Sequence, residues 1–149
     1  MNKSTIISDI MEALKEAFPQ VRHIDKDWGQ LTIETPPVGW PCVLIDIEEV
    51  EFQDLTDLNE RATVTLELTV ANKRTASSSG NAKPASKAKS METIDLTDAI
   101  HRLMQGFAPQ GAEYAPLRVV SFYKVNDLPG AEVYRMRYLT RYNINLDGG

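Results

Sequence analysis

The sequence has few residues that could cross-link a fold or anchor it to a membrane. Its 149 residues include one cysteine, Cys42, which excludes an internal disulfide. Cys42, His23 and His101 are together too few for a standard structural zinc site. No apolar run approaches the roughly 20 residues of a membrane span, and the segment after Met1 has a helical pattern, unlike a signal peptide. We therefore expect a soluble cytoplasmic protein with no metal, no cofactor and no membrane partner.

Common catalytic motifs are also missing. The sequence contains no Gly-rich phosphate loop, no HExxH, no GxSxG and no Cys/His pair at a suggestive spacing. Cys42 follows Pro41 at the start of an apolar stretch, which is typical of a small buried side chain. We expect no catalytic residues, and we expect that the protein is not an enzyme.

The overall composition is that of an ordinary globular domain. Apolar residues make up 42% and charged residues 25% of the chain, and 16 bases against 21 acids give a net charge of −5. This length is sufficient for one domain, residues 1–149, with a core of its own.

The charge is distributed unevenly along the chain. The stretch from Lys73 to Ser90 has five bases and no acid, so the rest of the chain carries 11 bases against 21 acids, a net charge of −10. Residues 75–90 have no large apolar side chain, which predicts a long flexible basic loop at about 73–91. Its bases are candidate interface residues: Lys73, Arg74, Lys83, Lys87 and Lys89.

A second charged segment is wholly acidic. Between Asp46 and Glu60 the sequence has seven acids and no base, namely Asp46, Glu48, Glu49, Glu51, Asp54, Asp57 and Glu60. Paired carboxylates perform acid/base catalysis when burial separates their pKa values, but these acids lie in a strand end and a polar loop. The segment therefore indicates a solvated acidic surface.

Apolar periodicity predicts two amphipathic helices. The first runs from Ile6 to Phe18 and ends before Pro19. The second runs from Leu96 to Phe107, with Asp95 as its N-cap.

Alternation and turn residues predict five strands: Gln30–Thr35, Pro41–Phe52, Ala62–Ala71, Leu117–Val125 and Ala131–Leu146. The second and third would form a hairpin through Gln53–Arg61. Trp40 either presents an interface anchor or covers one end of the core. The order α-β-β-β-loop-α-β-β predicts an α+β fold, a mainly antiparallel sheet with two helices packed on one face.

The last predicted strand separates two kinds of side chain. Its tyrosines share one parity, and the arginines Arg135, Arg137 and Arg141 share the other. Because alternate residues point to opposite faces, we expect the tyrosines to face the core and the arginines to face outward. The arginines would pair with acids of neighbouring strands or with another subunit, and are candidate interface residues.

The order and texture of these elements resemble the tail terminator (tail completion) proteins of long-tailed bacteriophages and prophages. The matching parts are Ile6–Phe18, Pro41-Cys42-Val43-Leu44-Ile45, Ala62–Ala71, Leu96–Phe107 and the Tyr-rich end Tyr134–Tyr142.

The resemblance implies a structural virion protein of the tail or neck, assembled in the host cytoplasm. Such proteins form a ring, typically a hexamer, that ends tail-tube growth and joins the tube to head-completion proteins, without covalent chemistry. The acidic segment would line the DNA passage or face an adjacent ring, and the basic loop would dock on an acidic partner.

Two alternatives remain at this point. The chain could be another phage neck or tail assembly protein. It could also be a nucleic-acid-binding accessory protein that uses the basic loop with Arg135, Arg137 and Arg141, although the net charge of −10 elsewhere argues against this.

Overall fold

A five-stranded sheet organises the chain, which the computed structural model describes over residues 1–74, 80–126, 128 and 130–146. The elements in chain order are α1 Lys3–Ala17, β1 His23–Lys26, a 3-10 turn Gln30–Thr32, β2 Cys42–Thr56, β3 Asn59–Lys73, α2 Pro84–Ser90, α3 Glu92–Met104, β4 Arg118–Val125 and β5 Ala131–Asn145.

The strand order is β1-β2-β3-β5-β4. Strand β1 pairs with β2 in parallel, and the other three pairings are antiparallel. The predicted α+β fold with a mainly antiparallel sheet of five strands is confirmed.

The first strand lies elsewhere than predicted. Gln30–Thr35 is not a strand, because its first residues form the 3-10 turn, and His23–Lys26 takes the sheet edge instead. The buried Gln30 side chain fixes this turn: Nε2 donates to Lys26 O at 2.9 Å, and Oε1 accepts from Trp28 N at 2.8 Å. These local hydrogen bonds compete with strand pairing, and the apolar pattern does not reveal them.

Helices α1 and α3 cover one face of the sheet, as predicted. Ile6 and Ile10 of α1 and Ile100 of α3 are fully buried with Leu66 and Tyr138 of the sheet. Helix α3 begins at Glu92, three residues before the predicted N-cap Asp95, which lies in its first turn.

The opposite face of the sheet carries a smaller apolar cluster at one end. Its buried members are Leu31, Cys42, Leu44, Ala71 and Val133. Trp40 is half-buried and packs against them, so of its two predicted roles the structure shows the covering of a core. The rest of this surface, called the open face below, carries polar and charged side chains.

The basic segment is not a loop throughout. Residues Pro84–Ser90 form α2, so the prediction of a loop over about 73–91 is wrong there, and residues 75–79 lie outside the described residues. Pro84 occupies the first turn, where a missing N–H costs nothing, and the alanines and lysines that follow favour helix. No large apolar side chain is needed, because α2 buries no residue.

The β2–β3 hairpin is longer than predicted. The expected loop Gln53–Arg61 is mostly strand, since β2 ends at Thr56 and β3 begins at Asn59. Each residue of β2 from Glu51 onward is exposed, so the strand extends past the core. Within the described ranges, no helix is both long enough and apolar enough to span a membrane.

Candidate interaction surface

A network of charged side chains crosses the middle of the open face, with Glu67 of β3 at its centre. Arg137 of β5 places Nε 3.3 Å from Glu67 Oε2 and 2.7 Å from Oε2 of Glu48 on β2. Arg135 of β5 places Nε 3.5 Å from Glu67 Oε1. Arg137 thus lies opposite Glu67 and reaches across β3 to Glu48, and Arg135 contacts Glu67 diagonally, so charge links the three strands β2, β3 and β5.

Tyr123 of β4 extends the network to the fourth strand. Its hydroxyl donates to Glu67 Oε2 at 2.9 Å and accepts from Arg137 Nη2 at 3.0 Å. The Arg137 guanidinium also lies 4.9 Å from the Tyr123 ring centroid, within cation–π distance. Burial raises the pKa of Tyr123, and the hydrogen bond to Glu67 raises it further, so the phenol remains a donor at neutral pH.

The structure confirms that the arginine row of β5 faces away from the helices, and it pairs two of these arginines with acids. Arg135 and Arg137 both contact Glu67 of the neighbouring strand β3, and Arg137 also contacts Glu48 of β2, whereas Arg141 is exposed farther along β5. Sequence reasoning did not single out Glu67 or Tyr123. In the sequence, Glu67 stands out because it interrupts a row of alternating threonines on β3. Its partners cannot be identified without the register between the strands.

The acidic residues predicted from the sequence lie along β2 and its turn. Asp46, Glu49, Glu51, Asp54 and Asp57 are exposed, and Glu60 is half-buried on β3. Burial raises the pKa of Asp46, and nearby Asp27 and Glu67 add to the rise. Most of this set is a solvated acidic surface, whereas Glu48 joins the network through its ion pair with Arg137 at the irregularity of β2.

Much of the basic set lies at the other end of the strands, beside a cavity of about 680 Å³. Four of the predicted interface residues line it together: Trp40, Lys73, Arg74 and Lys89. Arg22 and Lys124, which the sequence did not single out, add two more bases, and Glu92 and Glu132 are the acids of the lining. Lys83, immediately before α2, and Lys87 within it are outside this lining.

The histidines and Cys42 do not form a reactive cluster. Over residues 1–74, 80–126, 128 and 130–146, no three His, Cys, Asp or Glu side chains come together to hold a metal ion. His101 Nδ1 lies 2.8 Å from the hydroxyl of buried Tyr138, and His23 Nε2 lies 3.7 Å from Asp25 Oδ2. Cys42 is fully buried in the smaller apolar cluster.

Cys42 should be unreactive in the folded protein. Burial raises the pKa of its thiol to about 12, so almost no thiolate is present at pH 8. Treatment with a thiol reagent under native conditions should leave it unmodified for hours, whereas the protein in denaturant should react with one equivalent within minutes. Rapid native modification at full stoichiometry would contradict the buried position of β2's first residue.

Strand β4 and the part of β2 that extends beyond β1 present exposed apolar side chains. On β4 these are Val119, Val120 and Phe122, and on β2 they are Phe52 and Leu55. Leu58 in the hairpin turn and Leu146 after β5 are also exposed, and they are joined by a hydrogen bond from Leu146 N to Leu58 O of 2.7 Å. Exposed apolar residues at sheet edges are typical of surfaces that contact another protein.

Comparison of the chain with known family models and with curated proteins finds no match.

Proposed function

We propose that this chain is a structural virion protein that caps the tail tube of a long-tailed phage as a ring. In this role it ends tube polymerisation, forms the joint to head-completion proteins and carries out no covalent chemistry. The proposal combines the resemblance in element order with the surface described above.

The observation that supports it best is the separation of charge along the strands. Acids occupy β2 from Asp46 to its turn, whereas Lys73, at the end of β3, and Lys89 lie beside the cavity at the start of β2. A subunit with one acidic end and one basic end can present the acidic end to one partner and the basic end to a different partner. Electrostatic complementarity of this kind fixes orientation and partner choice.

A ring follows from heterologous contacts that close after a fixed rotation per subunit. In such a ring the acidic surface would face the DNA passage or an adjacent ring, where carboxylates repel phosphate and keep DNA from adhering. The basic end would meet an acidic surface of the tail tube or of a head-completion protein. Arg135 and Arg137 have acid partners within their own sheet, which reduces the charge that they offer to nucleic acid.

The test is deletion of the gene from the phage or prophage that encodes it, with particles measured by electron microscopy. We expect abnormally long tails that are not joined to heads, because nothing ends tube growth. The wild-type gene supplied in trans should restore normal tail length, and the purified chain should show the mass of a ring.

A second arm supplies the triple variant Lys83→Ala/Lys87→Ala/Lys89→Ala in trans, which removes the base before α2 and the two bases within it without touching a buried residue. Its rescue should be weaker than that of the wild type. Tails of normal length that remain joined to heads after deletion would overturn the proposed function.

A further inference from the structure

In the part of the chain that the structure describes, β4 and the length of β2 beyond β1 each have an open edge, and these two edges are complementary. We infer that the β4 edge of one copy pairs with the β2 edge of a second copy, which extends the sheet from subunit to subunit. The closure of such a sheet into a ring rests on the proposed function. The pairing of the two strands is argued from their edges alone.

The β2 edge is open over most of its length. Strand β1 pairs with β2 only from Cys42 to Ile45, and Asp27 N donates the next hydrogen bond to Ile45 O at 2.8 Å. In the described part of the chain, no strand pairs with that side of β2 from Asp46 to Thr56. Unpaired backbone groups on such an edge are a template for another strand.

The β4 edge is open as well. Strand β4 pairs with β5 on one side, and no described strand lies on its other side. Val120 is 54% exposed and Phe122 is 48% exposed. Strand addition to such an edge would take these side chains out of water and satisfy the backbone.

The charges of the two edges are opposite. Strand β4 carries Arg118 and Lys124 and no acid. The open part of β2 carries five acids and no base: Asp46, Glu48, Glu49, Glu51 and Asp54. Pairing of β4 with β4, or of β2 with β2, would place like charges opposite each other, so charge favours the heterologous contact.

Side-chain alternation restricts the register of this contact. The pairings β2–β3, β3–β5 and β5–β4 are all antiparallel, so β4 is antiparallel to β2. Continuing the sheet with the helices on one face requires Phe122 to lie opposite a residue of β2 that shares its face. Val50 and Phe52 meet this condition and also keep β4 clear of β1 and within the length of β2. On the open face, Ser121 would lie opposite Glu51 in the first register and Gln53 in the second.

Both registers give a geometry that closed sheets adopt. Within one copy, the pairings place Tyr123 of β4 in line with Thr69 of β3. The residue that Tyr123 would face in the next copy, Glu49 or Glu51, is in line with Thr65 or Thr63 of that copy's β3. The stagger is thus about 13 or 20 Å along strands that rise roughly 3.3 Å per residue, across four strands about 19 Å wide. The resulting strand tilt, about 35 to 45°, is the range found in barrels.

Disulfide trapping tests the contact directly. Two double variants, Ser121→Cys/Glu51→Cys and Ser121→Cys/Gln53→Cys, place a thiol on each edge, and paired residues approach within disulfide distance. Mild oxidation of one of them should give a ladder of covalent multimers on non-reducing gels, and the variant that reacts identifies the register. Cys42 is buried and should not take part.

The controls separate this contact from others. Each variant with one introduced cysteine should stay monomeric on the gel. A mixture of Ser121→Cys with the matching β2 variant should stop at dimers, since only one interface can be linked. A dimer formed by Ser121→Cys alone would show β4–β4 pairing and overturn the inference, as would a native mass that stays monomeric at high concentration.

Charge reversal provides a second test that does not depend on oxidation. Arg118→Glu/Lys124→Glu alone and Glu49→Lys/Glu51→Lys alone should each associate at least tenfold more weakly than the wild type. Mixing the two should restore association, because opposite charges then meet at every contact. If circular dichroism shows that both variants are folded and mixing them still does not restore association, the inference is contradicted. Normal tails after gene deletion together with a cross-linked ladder would refute the proposed function alone.

Discussion

Replacing Leu66 by alanine should lower the free energy of unfolding by about 2 to 5 kcal/mol. Leu66 is fully buried on β3, between Ile47 of β2 and Tyr138 of β5, beneath the helices. The substitution removes apolar contact and leaves a cavity that neighbouring strands on both sides prevent from collapsing. Urea unfolding followed by far-ultraviolet circular dichroism measures the change.

Leu58→Ala is the matched control, since it deletes the same atoms from a side chain that is 49% exposed in the hairpin turn. Its effect should stay within about 0.5 kcal/mol. Similar losses for the two variants, or a loss below about 1 kcal/mol at Leu66, would contradict the position of β3 at the centre of the core.

Removing the charge of Glu67 should also destabilise the protein, by about 1 to 2 kcal/mol. Its carboxylate is 14% exposed and contacts Arg135, Arg137 and Tyr123. Glu67→Gln preserves the shape but weakens each of these contacts, because an amide oxygen is a poorer acceptor for a guanidinium than a carboxylate. The arginines are about one-third exposed, so solvent screening keeps the loss below that of a fully buried pair.

Glu12→Gln, at an exposed position of α1, removes the same charge and should change stability by less than about 0.5 kcal/mol. A double-mutant cycle with Arg137→Gln isolates the contact: Glu67→Gln and Arg137→Gln should be non-additive by at least about 0.5 kcal/mol. Additive losses would show that the two side chains do not interact in solution.

The fold class was predictable because the segments with the clearest apolar periodicity are also the segments that bury one face in the core. Alternation in Ala62–Ala71 and the stripe from Ile6 to Phe18 mark elements that bury one face, and each is found in the structure. The first strand was missed because His23–Lys26 is only four residues long and has no alternating burial. Helix α2 was missed because it buries nothing, so apolar periodicity has no signal there.

The interaction surface was predictable only as separate sets of residues. The outward parity of Arg135 and Arg137 follows from alternation along one strand. Their partners depend on which strand lies next to β5 and in what register, and that register brings Glu67 opposite Arg137 from far away in sequence. The cavity likewise combines Arg22, Lys73 and Lys124 from three separate segments.

The position of β3 has a consequence for how the chain folds. Strand β3 meets β2 through a tight turn, but its other side pairs with β5, the last of the described strands, from Asn59 with Asn145 to Lys73 with Ala131. The β2–β3 hairpin can form early from local contacts, whereas the β3–β5 ladder must first close a long loop. During synthesis we therefore expect one side of β3 to stay unpaired until β5 has emerged, and an unpaired strand edge of this kind favours aggregation.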